Sequence, residues 1–578
     1  MQPSRWHACW PNLAEEHRTL TIKRSNGIRF SISDLSSPTA RIMPTIYQDR
    51  CGISLYDAQY STGEKGPIPP TVVQEVLVAL LRFKTTCQDY GVPDTHIRVV
   101  ATEATREALN SIEYRQAIQD RTGWKVELLS KEAEGRIGAI GVASSFSSVK
   151  GLVMDLGGGS TQLTWLIAEH GNVRTSPKGA VSLPYGAAAL TLRLAEAERA
   201  GGDATDRLRA EMKAQLQQAY TDLALPPELT DHATGHDGLS LYLSGGGFRG
   251  WGYLLMAQHR VQPYPIPIIN GFHAPRTSFQ DTLQTQTLAS STAPIFRVST
   301  RRASQVPAVA FLISVLSDAL PPIKEALFSQ GGVREGLLYT FLPPAVRAAH
   351  PLVTATAPYA SPNASPAATF ALRVLLAAAI PDVNIPAPHT AIRTVAHPPF
   401  LQALANSLHL HAPLPSESRA ASALRATTTG VLTAAHGLSH TDRALLALAL
   451  CERWGGEGQI APTDEDFLAR TRALVGDELS WWTKYVGAVA GLVGEVYPGG
   501  LVRVGEERME VEGRWKAGVK GKSVDEVGIE VVVRVREGEE GSAEGGVRAL
   551  EKVGKRKNWV GGKERYGFRV GVVVRRDL

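Results

Sequence analysis

The sequence feature that most constrains the fold is the segment GLVMDLGGGSTQLTWLI, which occupies residues 151–167. An apolar run leads to Asp155, three glycines follow at 157–159, and a second apolar run continues to residue 167. This order predicts a strand, a tight glycine turn and a second strand. Glycines leave backbone N–H groups uncovered by side chains, and such groups can surround an anion.

Three polar side chains in this segment extend the prediction. Ser160 and Thr161 add hydroxyl donors, and Asp155, at the end of a buried strand, is placed to hold a hydrated Mg2+ beside a phosphate. An ordinary hairpin, in which Asp155 bonds its own backbone, is the alternative. The segment is not a Walker A loop, because no Gly-Lys-Ser/Thr follows. It is not a dinucleotide fingerprint either, because a strand rather than a helix is predicted next.

The flanking sequence predicts an α/β layer built on a mixed sheet. Apolar residues alternate at Ile28, Phe30 and Ile32, as in a strand. Strands and helices then alternate up to the glycine turn, with helices expected at 71–90, 111–122 and 132–142 and strands at 97–101 and 126–129. A later strand, at 239–243, is followed by Ser244, Gly245, Gly246 and Gly247, so we expect a second glycine loop that faces the same anion.

The rest of the chain divides by composition. Residues 1–24 show no regular spacing of hydrophobic residues. The composition of residues 275–305 is typical of a loop or a weakly ordered insertion, and residues 307–327 predict one long apolar helix. The Pro-, Ala- and Ser-rich residues 344–366 are typical of a linker. An Ala/Leu-rich helical region at 367–500 and a small α/β unit at 501–578 follow. A basic loop in that unit (Lys555, Arg556, Lys557, Trp559) could contact phosphate or an acidic partner, but is better interpreted as solvated.

Composition excludes several classes of protein. The 578 residues are 43% hydrophobic and 20% charged, with a formal net charge of +5, which does not indicate a nucleic-acid-binding protein. No apolar run approaches the roughly 20 residues that span a bilayer, and the first residues predict no signal peptide. The cysteines are scattered without CxxC spacing, so we expect reduced thiols, a cytoplasmic location with the nucleus left open, and no zinc site made from them: Cys9, Cys51, Cys87 and Cys451.

At this point four motifs, in order over about 320 residues, resemble the exopolyphosphatase/guanosine pentaphosphate phosphatase (Ppx/GppA) family: ATEATREALN (101–110), LLSKEAEGRIGAIGV (128–142), VMDLGGGSTQL (153–163) and GGVREGLLY (331–339). The segments SNGIRFSISDL and LSGGGFRGWGYLLM are most similar in sequence to the fungal branch of the family. That branch contains retrograde-response regulators that report mitochondrial state to the nucleus. The resemblance implies an actin-like (ribonuclease H-like) two-lobed ATPase fold. Lobe I would occupy 25–148 and lobe II 149–343, with an HD-like helical domain after them.

The resemblance also implies roles for individual residues. Glu134 would orient and deprotonate water for in-line attack on a terminal phosphoanhydride, and Asp155 would hold Mg2+. Arg106 would clamp a phosphate. The other implied phosphate-binding residues are Ser25, Asn26, Gly157, Gly158, Gly159, Ser160, Ser244, Gly245, Gly246 and Gly247. Without the resemblance, Glu132 and Glu134 would be the charged first turn of a helix, and Arg106 a surface arginine.

One departure from the family pattern bears on function. The family opens with a strand that ends Asp-x-Gly-Ser-Asn, whereas here Lys23 and Arg24 precede Ser25 and Asn26. Lysine and arginine can bind phosphate but cannot hold Mg2+. Either the chain has lost full catalysis, or residues 1–24 come from a misjoined exon.

Two function classes follow. The first is a regulator that binds a nucleotide or polyphosphate and passes its open or closed state to a protein partner. The second is a phosphohydrolase acting on polyphosphate or guanosine pentaphosphate. The altered first loop and the fungal resemblance favour the regulator, while Glu134, Asp155 and Arg106 keep the enzyme as an alternative. A sugar or acetate kinase of the same superfamily is a weaker third interpretation. It is disfavoured because Glu134 lies in the motif KEAEGR, where the resemblance implies that it activates water. We expect no membrane and no direct nucleic-acid partner, and we leave a homodimer open.

Two further clusters have structural interpretations. His436, His440 and Asp442 could suggest a metal site, but a helix cap at Ser439 or Thr441 with exposed histidines explains them better. The large aromatics Trp251, Trp481 and Trp482 are expected to pack in cores rather than to stack on bases.

Overall fold

The computed structural model describes residues 17–24 (backbone only), 27–61, 64–234, 238–290, 295–361, 363–383, 390–503, 505–519, 527–561 and 565–578. The chain forms two compact units. The first contains residues 1–258 and 269–349, and the second contains residues 259–268 and 350–578.

The first sheet of the first unit carries the N-terminal motifs. Its described strands, in the order β3-β2-β1-β4-β5, are β1 (His17–Arg24), β2 (Gly27–Asp34), β3 (Thr45–Cys51), β4 (Ile97–Ala101) and β5 (Val126–Leu128). The helices that accompany it are α1 (Leu55–Gln59), α2 (Pro70–Asp89), α3 (Glu103–Arg106) and α4 (Ser111–Thr122). The apolar face of β2 is buried with Leu80 and Phe83 of α2, as the alternation predicts.

The prediction that residues 1–24 are irregular is wrong for residues 17–24. β1 lies in the middle of the sheet, antiparallel to β2 and parallel to β4. Its sequence alternates apolar residues only at Leu20 and Ile22, which is too short a run to indicate a strand. The pairing of both backbone edges, which a sequence pattern does not show, stabilises this strand.

The second sheet carries the glycine hairpin. The described strands run in the order β11-β12-β10-β6-β7-β8, with β9 on β7: β6 (Val149–Leu156), β7 (Thr161–Glu169), β8 (Asn172–Thr175), β9 (Val181–Leu183), β10 (Leu239–Gly245), β11 (Phe272–Pro275) and β12 (Ile323–Phe328). The antiparallel pairing of β6 with β7, from Val149–Ala168 to Leu156–Thr161, confirms the predicted strand, glycine turn and strand.

The helices of this second half are α5 (Lys131–Ser144), α6 (Ala187–Ala200), α7 (Ala204–Asp222), α8 (Pro227–Thr234), α9 (Gly246–Gln258), α10 (Arg276–Gln280), α11 (Thr282–Ala289), α12 (Thr300–Ala303), α13 (Val306–Ala319), α14 (Val333–Phe341) and α15 (Pro344–Ala348). Helices α5 and α14 cross so closely that only glycine fits between them. A Cβ on Gly336 would lie 1.8 Å from the carbonyl oxygen of Ile137, and one on Gly141 would lie 2.1 Å from that of Gly332. This crossing fixes the helix that begins at Lys131 and carries Glu134.

Several boundaries differ from the prediction. The apolar helix expected at 307–327 is helix α13 followed by strand β12, because Pro321 and Pro322 lack the N–H groups that continue a helix. Residues 275–305 contain α10, α11 and α12 rather than a loop. The expected linker at 344–366 includes α15 and, in the second unit, α16 (Pro351–Thr356), whose Leu352 and Thr356 are fully buried.

The second unit contains a run of helices followed by a three-stranded sheet with one helix. Its further helices are α17 (Pro366–Ala378), α18 (Thr390–Val395), α19 (Pro398–Asn406), α20 (Ser416–Arg425), α21 (His440–Arg453), α22 (Pro462–Val475) and α23 (Asp477–Val496). Strands β13 (Met509–Ala517), β14 (Val527–Val535) and β15 (Val570–Arg575) form a sheet in that order, with α24 (Glu540–Val553) between β14 and β15. Trp481 and Trp482 are buried in this unit and Trp251 in the first, which confirms that they are core residues.

The histidine cluster is a helix cap, as predicted, but its main histidine is buried. Ser439 caps α21 by accepting from the N–H of Asp442, whose carboxylate accepts from the N–H of Ser439 in return. His440 is only 5% exposed and packs against the segment 259–268. Its Nδ1 lies 2.7 Å from the Tyr264 hydroxyl and its Nε2 lies 2.8 Å from the Ile268 carbonyl oxygen. No group of three His, Cys, Asp or Glu side chains suited to a metal occurs in the part of the chain that the structure describes.

Two other expectations concern cysteines and membranes. Cys51, Cys87 and Cys451 are free thiols, whereas Cys9 lies outside the described residues. None of the described helices combines the length and apolarity that crossing a bilayer requires.

Candidate functional site

The glycine turn at 157–160 is held rigidly by the start of a helix. The N–H of Gly157 donates to the Ser160 carbonyl (3.0 Å), which closes the turn. The N–H groups of Ala187 and Ala188, at the start of α6, donate to the carbonyls of Gly157 (2.9 Å) and Gly158 (3.0 Å). These carbonyl oxygens are therefore engaged by the helix, and an anion that approaches the turn avoids their repulsion.

The second glycine segment lies beside the first, as predicted. Strand β10 runs parallel to β6 with Ser244 opposite Asp155 and Gly245 opposite Leu156. Gly245 has a φ of +93°, and a Cβ there would lie 2.4 Å from Oδ1 of Asp155, so only glycine allows the Asp155 carboxylate to stay in place. The segment is not a loop, however, because Gly246 and Gly247 already begin α9.

These elements form one wall of a cleft of about 460 Å³ within the first unit. Residues of β2 and β3 in the first sheet, and of the start of α3, also line this cleft. The lining residues that matter for chemistry are Arg29, Arg50, Glu103, Glu134, Asp155, Gly157, Gly158, Gly159, Ser160, Gln162, Gly246, Gly247, Arg301 and Arg302. We call this the phosphate cleft.

Glu134 lies in the first turn of α5 and is paired with Arg106. Nη1 of Arg106 is 3.5 Å from Oε2 of Glu134 and also donates to the Leu129 carbonyl at 2.5 Å. Both side chains are mostly buried, at 17% and 19% exposure. The arginine thus orients Glu134 at the edge of the phosphate cleft rather than lining the cleft itself.

Glu132, two residues earlier, behaves as an ordinary first-turn acid. Its own backbone N–H and the Ser130 hydroxyl hold the pKa of its carboxyl below the usual value, as helix N-termini do. It does not line the phosphate cleft, whereas Glu134 does. Stabilisation of the helix N-terminus is therefore enough to explain Glu132, but it does not explain why Glu134 lines the cleft.

Four arginines in the cleft were not identified from the sequence. Arg29 on β2 and Arg50 on β3 are direct cross-strand neighbours, and Arg301 and Arg302 come from α12. Both side chains line the cleft and can place positive charge beside a bound anion. Arg29 could have been found from the alternation, since it faces away from buried Ile28 and Phe30. Arg50 lies in a strand with no apolar period, and Arg301 and Arg302 lie in residues that we interpreted as a loop.

The predicted site residues thus divide into three groups. Those that line the cleft are Glu134, Asp155, Gly157, Gly158, Gly159, Ser160, Gly246 and Gly247. Arg106, Ser244 and Gly245 do not line it, and Ser244 is buried with its hydroxyl donating to the Gly331 carbonyl at 2.9 Å. Ser25 and Asn26 lie outside the described residues, as do the side chains of Lys23 and Arg24.

The cleft has limited capacity for a metal. Its acidic side chains are Glu103, Glu134 and Asp155, and they do not form a three-ligand cluster within the described residues. Mg2+ is commonly bound through one or two carboxylates together with water and substrate phosphates. Asp155, beside the glycine turn, fits that role only for a metal shared with a bound phosphate.

Comparison with known protein families gives two matches that meet at the boundary between the units. The Ppx/GppA phosphatase family model matches residues 34–345, and the RTG2 C-terminal domain model matches residues 350–577. The division of the chain at residues 349 and 350 coincides with the gap between these matches.

Individual proteins are similar to different lengths of this chain. Retrograde regulation protein 2 of Saccharomyces cerevisiae is 42% identical over 499 residues, which cover 83% of this chain and 80% of that protein. A bifunctional 3-dehydroquinate synthase/phosphatase of Fusobacterium nucleatum is 32% identical over 95 residues, 16% of this chain and 14% of its own. Among solved structures, a Ppx/GppA family member from Aquifex aeolicus aligns with a TM-score of 0.43 and 20% identity over 56% of this chain and 97% of its own. An exopolyphosphatase from Cytophaga hutchinsonii aligns with a TM-score of 0.41 and 18% identity over 56% of this chain and 97% of its own.

Proposed function

The chain belongs to the Ppx/GppA phosphatase family, and from this premise we propose that it is a regulatory protein that binds a nucleotide or polyphosphate in the phosphate cleft. Its similarity to Retrograde regulation protein 2 supports a role in signalling from mitochondria to the nucleus. In this role the protein acts in the cytoplasm, with the nucleus as a second location, and passes its ligand state to a protein partner.

The observation that carries the proposal is that Arg29 and Arg50 line the same cleft as the glycine turn. The two guanidinium groups come from adjacent strands and line the same cleft as Gly158 and Ser160. Arginine forms charge-assisted, bidentate hydrogen bonds with phosphate oxygens, and a glycine turn supplies backbone N–H donors. A ligand with several phosphates can contact the arginines and the glycine turn at once.

The regulator is favoured over the enzyme by the first strand of the domain. The sequence Ile22-Lys23-Arg24 stands where the family has Asp-x-Gly, and it lies in β1, which is paired with β2 on one side and β4 on the other. The chain therefore lacks, at this position, the carboxylate that helps the family bind metal. Additional cations strengthen phosphate binding without supporting Mg2+-assisted attack.

A phosphoanhydride hydrolase is the second candidate, and the Arg106–Glu134 pair supports it. In this reaction a water oxygen attacks the terminal phosphorus while its proton passes to the Glu134 carboxylate. The bond to the bridging oxygen breaks, and the shortened chain leaves with the electron pair. Mg2+, held by Asp155 and the ligand, would neutralise the developing charge on the phosphate oxygens.

The two candidates are separated by measuring ligand binding and phosphate release on the same three proteins. The wild type is compared with Glu134→Gln and with the matched control Glu132→Gln, which changes an exposed acid two residues away in the same helix. The ligands are ATP, guanosine pentaphosphate and polyphosphate, each with Mg2+.

The regulator predicts that at least one ligand raises the melting temperature of all three proteins and that none of them releases phosphate. Release by the wild type and Glu132→Gln that falls by about 10²-fold or more in Glu134→Gln would establish the hydrolase instead. If no ligand changes the melting temperature of any of the proteins, the binding function is wrong.

A further inference from the structure

The second unit contains a larger cavity that the proposed function does not use. It lies between α21, α22 and α23 on one side and α24 with residues 557–561 on the other, and has a volume of about 980 Å³. This volume is at the upper end of the range for small-molecule sites. We call it the C-terminal cavity.

The walls of the C-terminal cavity carry an excess of positive charge. Among the described residues that line it, seven are Lys or Arg and four are Asp or Glu. Of the salt bridges between described residues, one involves a lining cation, Arg472 with Glu457 at 3.1 Å. Among the described residues, the other six lining cations form no such salt bridge, and the excess of cations over acids produces a positive field inside a concave surface.

Three of these cations converge from three different helices. Lys484 projects from α23, Arg472 from α22 and Lys552 from α24. Burial lowers the pKa of the Lys484 amine. The charges of Glu452 and Glu457 oppose this shift and those of Arg472 and Lys552 add to it, so these groups lie within electrostatic reach of one another. The Glu452 carboxyl lies beside them, and burial raises its pKa.

The floor of the cavity adds donors that lack acceptors. Arg453 is largely buried, and its guanidinium lies 4.2 Å from the Trp454 ring centroid, with Arg419 near the same ring at 5.0 Å. Neither Nε of Arg453 nor Nε1 of Trp454 has a hydrogen-bond acceptor among the described residues. A fold that needed this region only for packing would be destabilised by such a set of cations, whereas an anionic ligand would offset their repulsion.

We propose that the C-terminal cavity binds a small metabolite-sized polyanion that carries two or more phosphate or carboxylate groups. The site is separate from the phosphate cleft and belongs to residues that the RTG2 C-terminal domain model matches. The chain would then respond to two anionic ligands, one in each unit. This inference does not depend on catalysis in the first unit.

The test uses the full-length protein with Arg29→Gln and Arg50→Gln, which weaken the phosphate cleft and leave the second unit unchanged. Binding of pyrophosphate and of citrate is measured by calorimetry, at ionic strength held constant with NaCl. In this background, Lys552→Gln with Lys557→Gln removes two exposed cavity cations. Lys555→Gln is the matched control, because Lys555 is exposed in the same segment but does not line the cavity.

We expect at least one of the two anions to bind, and we expect the Lys552/Lys557 double variant to weaken that binding about tenfold while Lys555→Gln leaves it unchanged. Binding of pyrophosphate alone would assign a phosphorylated ligand, and binding of citrate alone a carboxylated one. The proposal is overturned if neither anion binds, or if the double variant binds as tightly as the control while keeping its melting temperature.

Discussion

Arg106 holds Glu134 at 3.5 Å while it donates to the Leu129 carbonyl, so a single guanidinium connects the end of α3 to the first turn of α5. The family resemblance predicts that this arginine clamps phosphate. In the structure its nearest charged atom is the Glu134 carboxylate, and phosphate contact stays a prediction. Arg106 is therefore a positioning residue for Glu134.

A double-mutant cycle tests this pairing. For Arg106→Gln and Glu134→Gln we expect a coupling free energy of about 0.5–3 kcal/mol in urea unfolding, because both side chains are mostly buried. The more exposed Arg98–Glu127 pair is the comparison and should couple by less than about 1 kcal/mol. A coupling near zero for Arg106 and Glu134 would show that the pair does not stabilise the first unit.

Two glycines in the interior of helices should respond in opposite ways to alanine. Gly336→Ala places a Cβ 1.8 Å from the Ile137 carbonyl, so α5 and α14 must separate, and we expect a loss of about 1–3 kcal/mol in the free energy of unfolding. Gly138→Ala, in α5, meets nothing within 4 Å and should increase stability by up to about 1 kcal/mol. Equal effects in thermal or urea unfolding would mean that the helix crossing is looser than the structure shows.

His411 should make the second unit sensitive to mild acid. Burial lowers the pKa of its imidazole to about 4, while in the unfolded chain it titrates near its ordinary value of about 6.5. Between these values the unfolded state binds a proton that the folded state does not, so stability falls as the pH drops from 7 to 5. The lowered pKa of neighbouring His409, also caused mainly by burial, acts in the same direction.

The variant His411→Asn isolates this contribution. We expect it to reduce the stability difference between pH 7 and pH 5 by about 1–2 kcal/mol, while His170→Asn, at an exposed position, keeps the wild-type difference. If both variants lose stability equally between these pH values, His411 is not the group responsible.

The parts of the fold that the sequence predicts are those with a local signature. The glycine turn at 157–160, the alternation around Phe30 and the helix end at Gly123, which adopts a left-handed conformation, all depend on neighbouring residues. Strand β1 depends on pairing with strands that are distant along the chain, so the sequence of 17–24 does not indicate it. The break between α13 and β12 has a local signal in Pro321 and Pro322, which outweighs the long apolar run around them.

The sequence likewise predicts only part of the candidate site. Glycines, Asp155 and Glu134 belong to motifs, and the structure brings them to one cleft. Arg50, Arg301 and Arg302 reach that cleft only through the pairing of β3 with β2 and the placement of α12, which no short motif encodes. Ser244 belongs to a motif-like segment, yet its hydroxyl is used by the Gly331 carbonyl.

The most direct test of the central proposal is the affinity of the full-length protein for polyphosphate with Mg2+, measured by calorimetry for the wild type and for Arg29→Gln with Arg50→Gln. Arg121→Gln, an exposed arginine on α4 that does not line the cleft, is the control. If the cleft binds phosphate through these arginines, the double variant should bind at least about tenfold more weakly, and the control should bind as the wild type does. Equal affinity in all three proteins would contradict phosphate binding in this cleft.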